Sequence, residues 1–422
     1  MRTPKAWKSD SIKVIEWIAY YLAISAAIWV FWFVLSRDLL QTRGGDVNIF
    51  CLAGQSIRHG RNPYLAGNLG PSDTWNYLPV FAYGFRLLCS RFNFQNTYIF
   101  FYFPFLLFAM ELWIKGKSWL YGVILCVSGL YSFGWVIFTG NISVLEFYLL
   151  SLSALLFFRK KYALAFFLLG LNASVKIIPM LYFPVFLLLM EQTNQRRKTF
   201  LWIAAGFLLP FLISAVFAAD LIPWYFKQLL GLIPNQHSAF NEYNSFHFTN
   251  PLFISFIVSI LGVGEVIKTN FFIAILGFIL GMGSLYVLWR QVEPKIQSAR
   301  KLEIAFSVGI IIATLLMPRL KPYSFLPALL FFYVASRDQP RWLQGVYLIL
   351  LSILPNLLSY AYKYDISISV LEELPGFLIK PFEIIQTFNQ PFFLILAIII
   401  FALSIRNTIF QTDDQNSEAA TI

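Results

Sequence analysis

Asp46-Val-Asn-Ile-Phe-Cys-Leu-Ala-Gly-Gln-Ser-Ile-Arg-His-Gly-Arg-Asn-Pro-Tyr64 follows closely on an apolar run that extends from about Val14 to Leu35. That run is long enough to cross the ~30 Å hydrocarbon core of a bilayer as a helix. The stretch after it ends in a turn-forming Asn62-Pro63 pair and carries one acid, Asp46, at its start. An acid held where the chain leaves the bilayer is a place for chemistry on a lipid-linked substrate, and the rest of the chain is read outward from it.

Of 422 residues, 58% are hydrophobic and only 13% charged, against about 25% charged in a soluble domain. The chain therefore reads as an integral membrane protein. Its 45 phenylalanines and 18% aromatic content suit lipid-facing and interfacial surfaces. The apolar runs predict an all-α, polytopic helical bundle with about twelve crossings, at 14–35, 97–114, 118–138, 142–158, 162–174, 176–190, 199–219, 270–289, 303–317, 322–335, 342–358 and 391–405. The pair 162–174 and 176–190 is short for two spans and fits a hairpin that meets the surface at its tip. Segment 251–262 reads as re-entrant or interfacial. The first run is too long for a signal-peptide core and no small-residue cleavage site follows it, so an uncleaved first helix is expected.

The net charge of +11 belongs to short loops and not to a nucleic-acid surface, so no nucleic-acid partner is expected. Arg2/Lys5/Lys8/Lys13, Lys115/Lys117, Arg159/Lys160/Lys161, Arg196/Arg197/Lys198, Arg290/Lys295/Arg300/Lys301, Arg337/Arg341 and Arg406 all fall on one side of the alternating layout. The positive-inside rule makes that side cytoplasmic, with both termini inside a plasma (inner) membrane. One helical domain over 1–406 results, with outer loops at 36–96, 220–250 and 359–390 and a disordered cytoplasmic tail over 407–422. Within the second loop, Ile222–Gly231 reads as an interfacial helix. There is no internal repeat. The three cysteines, Cys51, Cys89 and Cys126, have no metal-type or obviously paired spacing.

The chain has no phosphate-cradling GxxxxGK loop, no HExxH or CxxC zinc motif and no DxD pair, so neither a metal nor a cofactor is expected. Its polar residues gather on the outer face. Asp46 reads as a general base for an attacking hydroxyl and equally as a helix cap, two compatible roles. Lys176, in Asn172-Ala-Ser-Val-Lys176-Ile-Ile-Pro179, either holds a phosphate, since charge inside an apolar segment points to function, or snorkels to the interface. Arg319 and Lys321 either clamp a phosphate or are ordinary loop cations. Asn141, after Gly140, bonds a sugar hydroxyl or caps a helix. His59, Tyr64 and Tyr77 in the first outer loop, and Gln236, His237 and His247 in the second, complete the set.

Two regions carry a family resemblance. Asp46 with Gly60-Arg-Asn-Pro-Tyr64 and Asn76-Tyr-Leu-Pro79 resembles the first outer loop of glycosyltransferase family 87, and Gly140-Asn141 with the later Lys176-Ile-Ile-Pro179 resembles a second family stretch. Leu78 stands where a proline is common, and Asn141-Ile-Ser lacks the usual glutamine. The resemblance implies a bundle of GT-C type with helical outer loops, using a polyprenyl-phosphate sugar as donor and a lipid or glycan as acceptor. It further implies an inverting transfer of a hexose, mannose for preference. Asp46 would be the catalytic base, Lys176, Arg319, Lys321 and His237 would bind the donor phosphate, and Tyr64, Tyr77, Asn141, His59 and Gln236 would bind substrate. Tyr64 and Tyr77 would either stack on a sugar face or hold the loop.

The runner-up is a transporter or flippase of a lipid-linked sugar, which would show paired halves and matching broken helices; the sequence shows neither. A glycan polymerase or ligase is a third reading and would rest on outer arginine or histidine.

Overall fold

The computed structural model describes residues 4–38, 44–65, 67–69, 75–176, 178–190, 196–229, 232–233, 299–315, 317, 322–363 and 389–419. Every regular element among them is helical. In chain order these are α1 (Pro4–Asp38), α2 (Gly45–Arg58), α3 (Pro79–Phe92), α4 (Phe94–Glu111), α5 (Trp119–Ser128), α6 (Ser132–Thr139), α7 (Ser143–Phe158), α8 (Tyr162–Val175), α9 (Phe183–Leu188), α10 (Arg196–Phe217), α11 (Ile222–Leu229), α12 (Ala299–Leu315), α13 (Leu326–Ser336), α14 (Arg341–Leu348), α15 (Leu354–Lys363) and α16 (Asn389–Ala419).

Among the described residues, four stretches are long and apolar enough to cross a membrane: Val14–Ser36, Gly116–Thr139, Arg196–Phe217 and Arg341–Ala361. The other expected crossings that fall on described residues are helical too, but Ser143–Phe158, Tyr162–Val175, Pro179–Leu188, Pro322–Ser336 and Asn389–Ser404 are shorter than a span. The expected crossing 270–289, segment 251–262, and most of the loops 220–250 and 359–390 lie outside the described residues. Where the sequence analysis expects a disordered tail from Asn407, α16 continues to Ala419; no proline or glycine interrupts that stretch.

The outer helices show their lipid-facing sides plainly. In α1, Val14, Ile15, Ile18, Leu22, Trp29 and Trp32 are exposed, while Tyr20, Ala23, Ala27, Phe31 and Val34 are buried at a spacing of three or four, the period of one helical face. That buried face packs on α14, where Gly345 admits the backbone of Tyr20. In α10 the exposed face is broader still, and the contact with α8 depends on two glycines. A Cβ on Gly170 would collide with the carbonyl of Ile203, and one on Gly206 with the carbonyl of Phe167. Small residues let the two backbones touch, as they do between helices in lipid.

The span Gly116–Thr139 is not one continuous helix. α5 and α6 are separated at Gly129–Tyr131, where Leu130 and Tyr131 adopt positive φ of 49° and 56°. Backbone carbonyls freed inside an apolar bundle need partners. Asn356 Nδ2 donates to Ser128 O at 2.6 Å and Gln390 Nε2 to Leu130 O at 2.8 Å. The span Arg341–Ala361 carries a π-helical turn at Ile349–Ile353 in its middle.

Basic residues meet at one end of the bundle. Arg300 bonds Glu303 and the last carbonyls of α13, Val334 O and Ala335 O; Arg337 shares Glu303, and Arg300 Nε also pairs with Asp338 at 2.8 Å. Cations at a helix C-terminus are favoured by its dipole. The Arg341 guanidinium covers the Trp17 ring at 3.0 Å.

At the other end, α2 and α3 form a hairpin stapled by a Cys51–Cys89 disulfide. The pairing of cysteines separated by 38 residues has no spacing signature, which is why the sequence did not show it. Pro79 starts α3, where its missing N–H costs nothing, and Val80 N–H bonds Ser214 Oγ of α10 at 3.2 Å. Cys126 is buried and free. Maleimide labelling of the native protein should leave all three thiols unmodified, and reduction should release Cys51 and Cys89 but not Cys126. Cys51→Ser should lower stability by about 2–4 kcal/mol; full labelling of Cys89 before reduction would contradict the staple.

Candidate active site at the Asp46 end of the bundle

Asp46 lies in the first turn of α2, and the structure bears on its reading as a cap. The helix starts at Gly45 after Gly44, which has φ 76°, and no side chain caps it. Asp46 is thus no cap, although its charge suits the N-terminal end of the helix dipole. Instead its Oδ2 accepts a 2.7 Å hydrogen bond from Asn141 Nδ2. Among the described residues its Oδ1 accepts no hydrogen bond, and the side chain is only partly covered.

Gly140 makes that contact possible. It ends α6 with φ 68°, a region costly for residues with a Cβ. A Cβ there would also collide with Val47 Cγ2 and stand 3.2 Å from the Tyr98 ring. Tyr98 OH and Gly44 N–H in turn bond the carbonyls of Ile137 and Phe138. The end of α6 is thereby pressed against the start of α2.

Asn141 is 5% exposed, and its carbonyl oxygen is the next link. Asn141 Oδ1 accepts from Ser143 N at 2.9 Å, from Ser143 Oγ at 2.7 Å and from Lys176 Nζ at 2.9 Å. Lys176 Nζ also donates to Ser143 Oγ at 2.7 Å and pairs with Glu146 Oε1 at 3.1 Å, the two side chains 14% and 15% exposed. The Tyr323 ring lies 4.4 Å below the same nitrogen. Of the three ammonium protons, Asn141 and Ser143 take two, and the Glu146 carboxylate offsets the charge as an ion pair without a directed hydrogen bond. Asp46, Asn141, Lys176 and Glu146 thus form one connected polar chain of net charge −1, with two carboxylates and one lysine.

A small cavity adjoins this chain, walled by Ser143, Glu146, Asn172, Tyr182, Tyr323 and Ser324 together with apolar side chains. Tyr77 reaches the chain from the loop before α3. Burial holds its hydroxyl well above the usual 10, and Asp46, Tyr323 and Glu146 add to the effect, so it stays a neutral donor at physiological pH. Tyr102 of α4 also lies within electrostatic reach of Asp46.

The other expected residues fare differently. Tyr64 is fully buried and its OH donates to Tyr77 O at 2.6 Å, which makes it a brace for the loop and not a stacking surface for a ligand. His59 is exposed at the far end of α2, roughly 20 Å along the helix from Asp46, and does not join the cluster. Lys176, expected to hold a phosphate, donates to Asn141 and Ser143 and pairs with the Glu146 carboxylate. Gln236, His237, Arg319 and Lys321 lie outside the described residues, although Met317 and Tyr323, which flank Arg319 and Lys321 in the chain, both line the cavity. Glu146 was not among the expected residues; an acid in the otherwise apolar run Ser143-Val-Leu-Glu-Phe-Tyr-Leu-Leu150 is the signal that was available.

No protein-family model, no curated protein and no solved structure matches this chain. Fold and site together define a class: an all-helical protein with helices apolar enough to span a membrane and a buried acid–amide–lysine–acid chain at one end of its bundle.

Gly140→Ala should be among the most destabilising changes in this region. Left-handed backbone costs an alanine about 1–2 kcal/mol, and overpacking against Val47 adds about 1–3 kcal/mol. A melting curve should show a clear drop, partly recovered when Val47→Ala is added. Wild-type stability in Gly140→Ala would contradict the close approach.

Proposed function

We propose that this protein is a membrane glycosyltransferase that moves a hexose from a polyprenyl phosphate to a hydroxyl of a lipid or glycan acceptor at the outer face of the plasma membrane. The observation that carries this reading is Asp46: a carboxylate fixed by Asn141 through one oxygen, with the other oxygen free among the described residues, at the end of an apolar bundle. Asp46 takes the proton of the acceptor hydroxyl. The resulting oxygen attacks the anomeric carbon, and the bond from that carbon to the phosphate oxygen breaks, its electron pair leaving with polyprenyl phosphate. The attack comes from the face opposite the leaving group, so the anomeric configuration inverts. Asn141 fixes the direction of the Asp46 carboxylate, and Lys176 fixes Asn141; Arg319 and Lys321 balance the charge on the leaving phosphate.

Two independent features support an outward-facing site. Arg300, Arg337 and Arg341 cluster away from the α2–α3 end that carries Asp46, an arrangement that fits the positive-inside rule for a cytoplasmic face. The Cys51–Cys89 bridge is beside Asp46, and disulfides persist in oxidising compartments. The transporter reading gains one observation, the break at Gly129–Tyr131 within a span, since discontinuous helices are common in transporters.

The test is transfer of radiolabelled mannose from polyprenyl-phosphate mannose in membranes holding wild type or Asp46→Asn at equal expression. Removing a general base should lower the rate by about 10²–10⁴-fold. Undiminished transfer by Asp46→Asn would overturn the assignment of the base. Protein-dependent movement of the intact lipid-linked sugar across proteoliposomes, without transfer, would favour the transporter.

A further inference from the structure

Two runs of cations converge where α8 and α10 begin. The two helices pack along much of their length and run parallel. α8 ends at Lys176, which is linked through Asn141 to Asp46, and Ser214 near the end of α10 bonds Val80 of the hairpin that carries Asp46. Their backbones touch at Gly170 and Gly206. Lys161 and Arg197 each precede that contact by nine residues, about 14 Å along a helix, and so stand at one level. Around them are Arg159, Lys160 and Lys198, and all five residues are exposed. Arg196 is half-buried and donates to Met190 O, so it serves the fold. Among the described residues Arg159, Lys161, Arg197 and Lys198 make no ion pair.

Local energetics account for only part of this charge. The C-terminus of α7 favours cations, but not a lysine in left-handed backbone. Lys161 N–H bonds Leu156 O and Lys160 N–H bonds Phe157 O, the pattern that closes a helix on a residue usually glycine. That residue is Lys160, with φ 58°. α10 opens with Arg196-Arg197-Lys198 and no acid in its first turn, although its dipole disfavours cations there. One turn further along each helix the surface becomes apolar. Leu164 stands three residues after Lys161, and Leu201 and Trp202 stand three and four after Lys198, on the same helix faces; all three are exposed. Cations at the edge of two lipid-facing helices complement a ligand with an anionic head and apolar chains. A soluble anion would match only the charged half.

We propose that the α7–α8 turn and the start of α10 bind an anionic phospholipid, its headgroup phosphate between Lys161, Arg197 and Lys198 and its chains along Leu164, Leu201 and Trp202. The lipid bridges α8 and α10 at the ends farthest from Asp46. The site requires only that these helices face lipid and does not depend on the transferase reading. Each cation near a membrane surface contributes about fivefold in affinity for anionic headgroups.

The experiment is native mass spectrometry of the full-length protein in detergent, titrated with phosphatidylglycerol, phosphatidylcholine or soluble glycerol 3-phosphate. Phosphatidylglycerol should bind about a hundredfold more tightly than phosphatidylcholine, from three cations at about fivefold each. Lys161→Gln should weaken it about fivefold and Arg197→Gln/Lys198→Gln about 25-fold, while Lys161→Arg should bind as wild type does. Lys115→Gln/Lys117→Gln, which removes the same charge as the double variant from exposed positions before α5, should leave binding unchanged. An equal loss in that control would reduce the patch to general surface charge and overturn the site. So would equal binding of the two lipids, or wild-type binding by Lys161→Gln. Glycerol 3-phosphate binding as tightly as phosphatidylglycerol would assign the cations to a soluble anion and overturn the lipid. Should the double variant not fold, Arg197→Gln and Lys198→Gln singly, each expected at about fivefold, decide the same question.

Discussion

The structure depends on one constraint, a lysine that must be neutralised inside an apolar bundle. Lys176 is placed by the end of α8, where the backbone turns extended at φ −140°, ψ 143°. It donates to Asn141 and Ser143 and forms an ion pair with Glu146; the three belong to the α6–α7 junction and the first turn of α7. Because Asn141 also holds Asp46, α2 is drawn to the same point. Removing one partner of a buried pair leaves an uncompensated charge and costs about 3–5 kcal/mol, so the four segments are held to a single arrangement.

That arrangement shapes the elements around it. Polar groups have to reach a common centre from several directions, so the helices at this end are short and end in turns, with α6 closing at Gly140 and α8 at Val175. The broken span between α5 and α6 follows the same logic deeper in the bundle. There the freed carbonyls are met by the buried amides Asn356 and Gln390, since no water is at hand to bond them. The outer helices α1 and α10 carry no such burden and remain long and continuous.

Much of this was legible in the sequence. Hydropathy placed α1, α10 and the region of α14–α15 closely, because a long apolar run with clear ends has few alternatives. Of the twelve expected crossings, four are long and apolar enough to span among the described residues, while a mostly apolar run such as Ser143–Phe158 is shorter, because apolar content does not report where backbone turns end a helix. Asp46, Asn141 and Lys176 were recognised as polar residues out of place, and the structure brings them together. Glu146 was missed for the opposite reason: its run was read as a span, and a lone acid within it drew no attention, although it needed the same explanation as Lys176. Tyr64 was taken as a ligand-facing candidate because an aromatic beside a turn fits that role as well as it fits a brace, and only burial separates the two.

The central claim, that Lys176 and Glu146 stabilise the site as a pair and not as separate groups, is tested most directly by a double-mutant cycle in nanodiscs. Melting temperatures would be compared for wild type, Lys176→Met, Glu146→Gln and the double variant. Coupled residues should show a large interaction energy, with the double variant melting above Lys176→Met, because removing both charges leaves no buried charge unpaired. Losses that simply add, with the double variant the least stable of the four, would contradict the account.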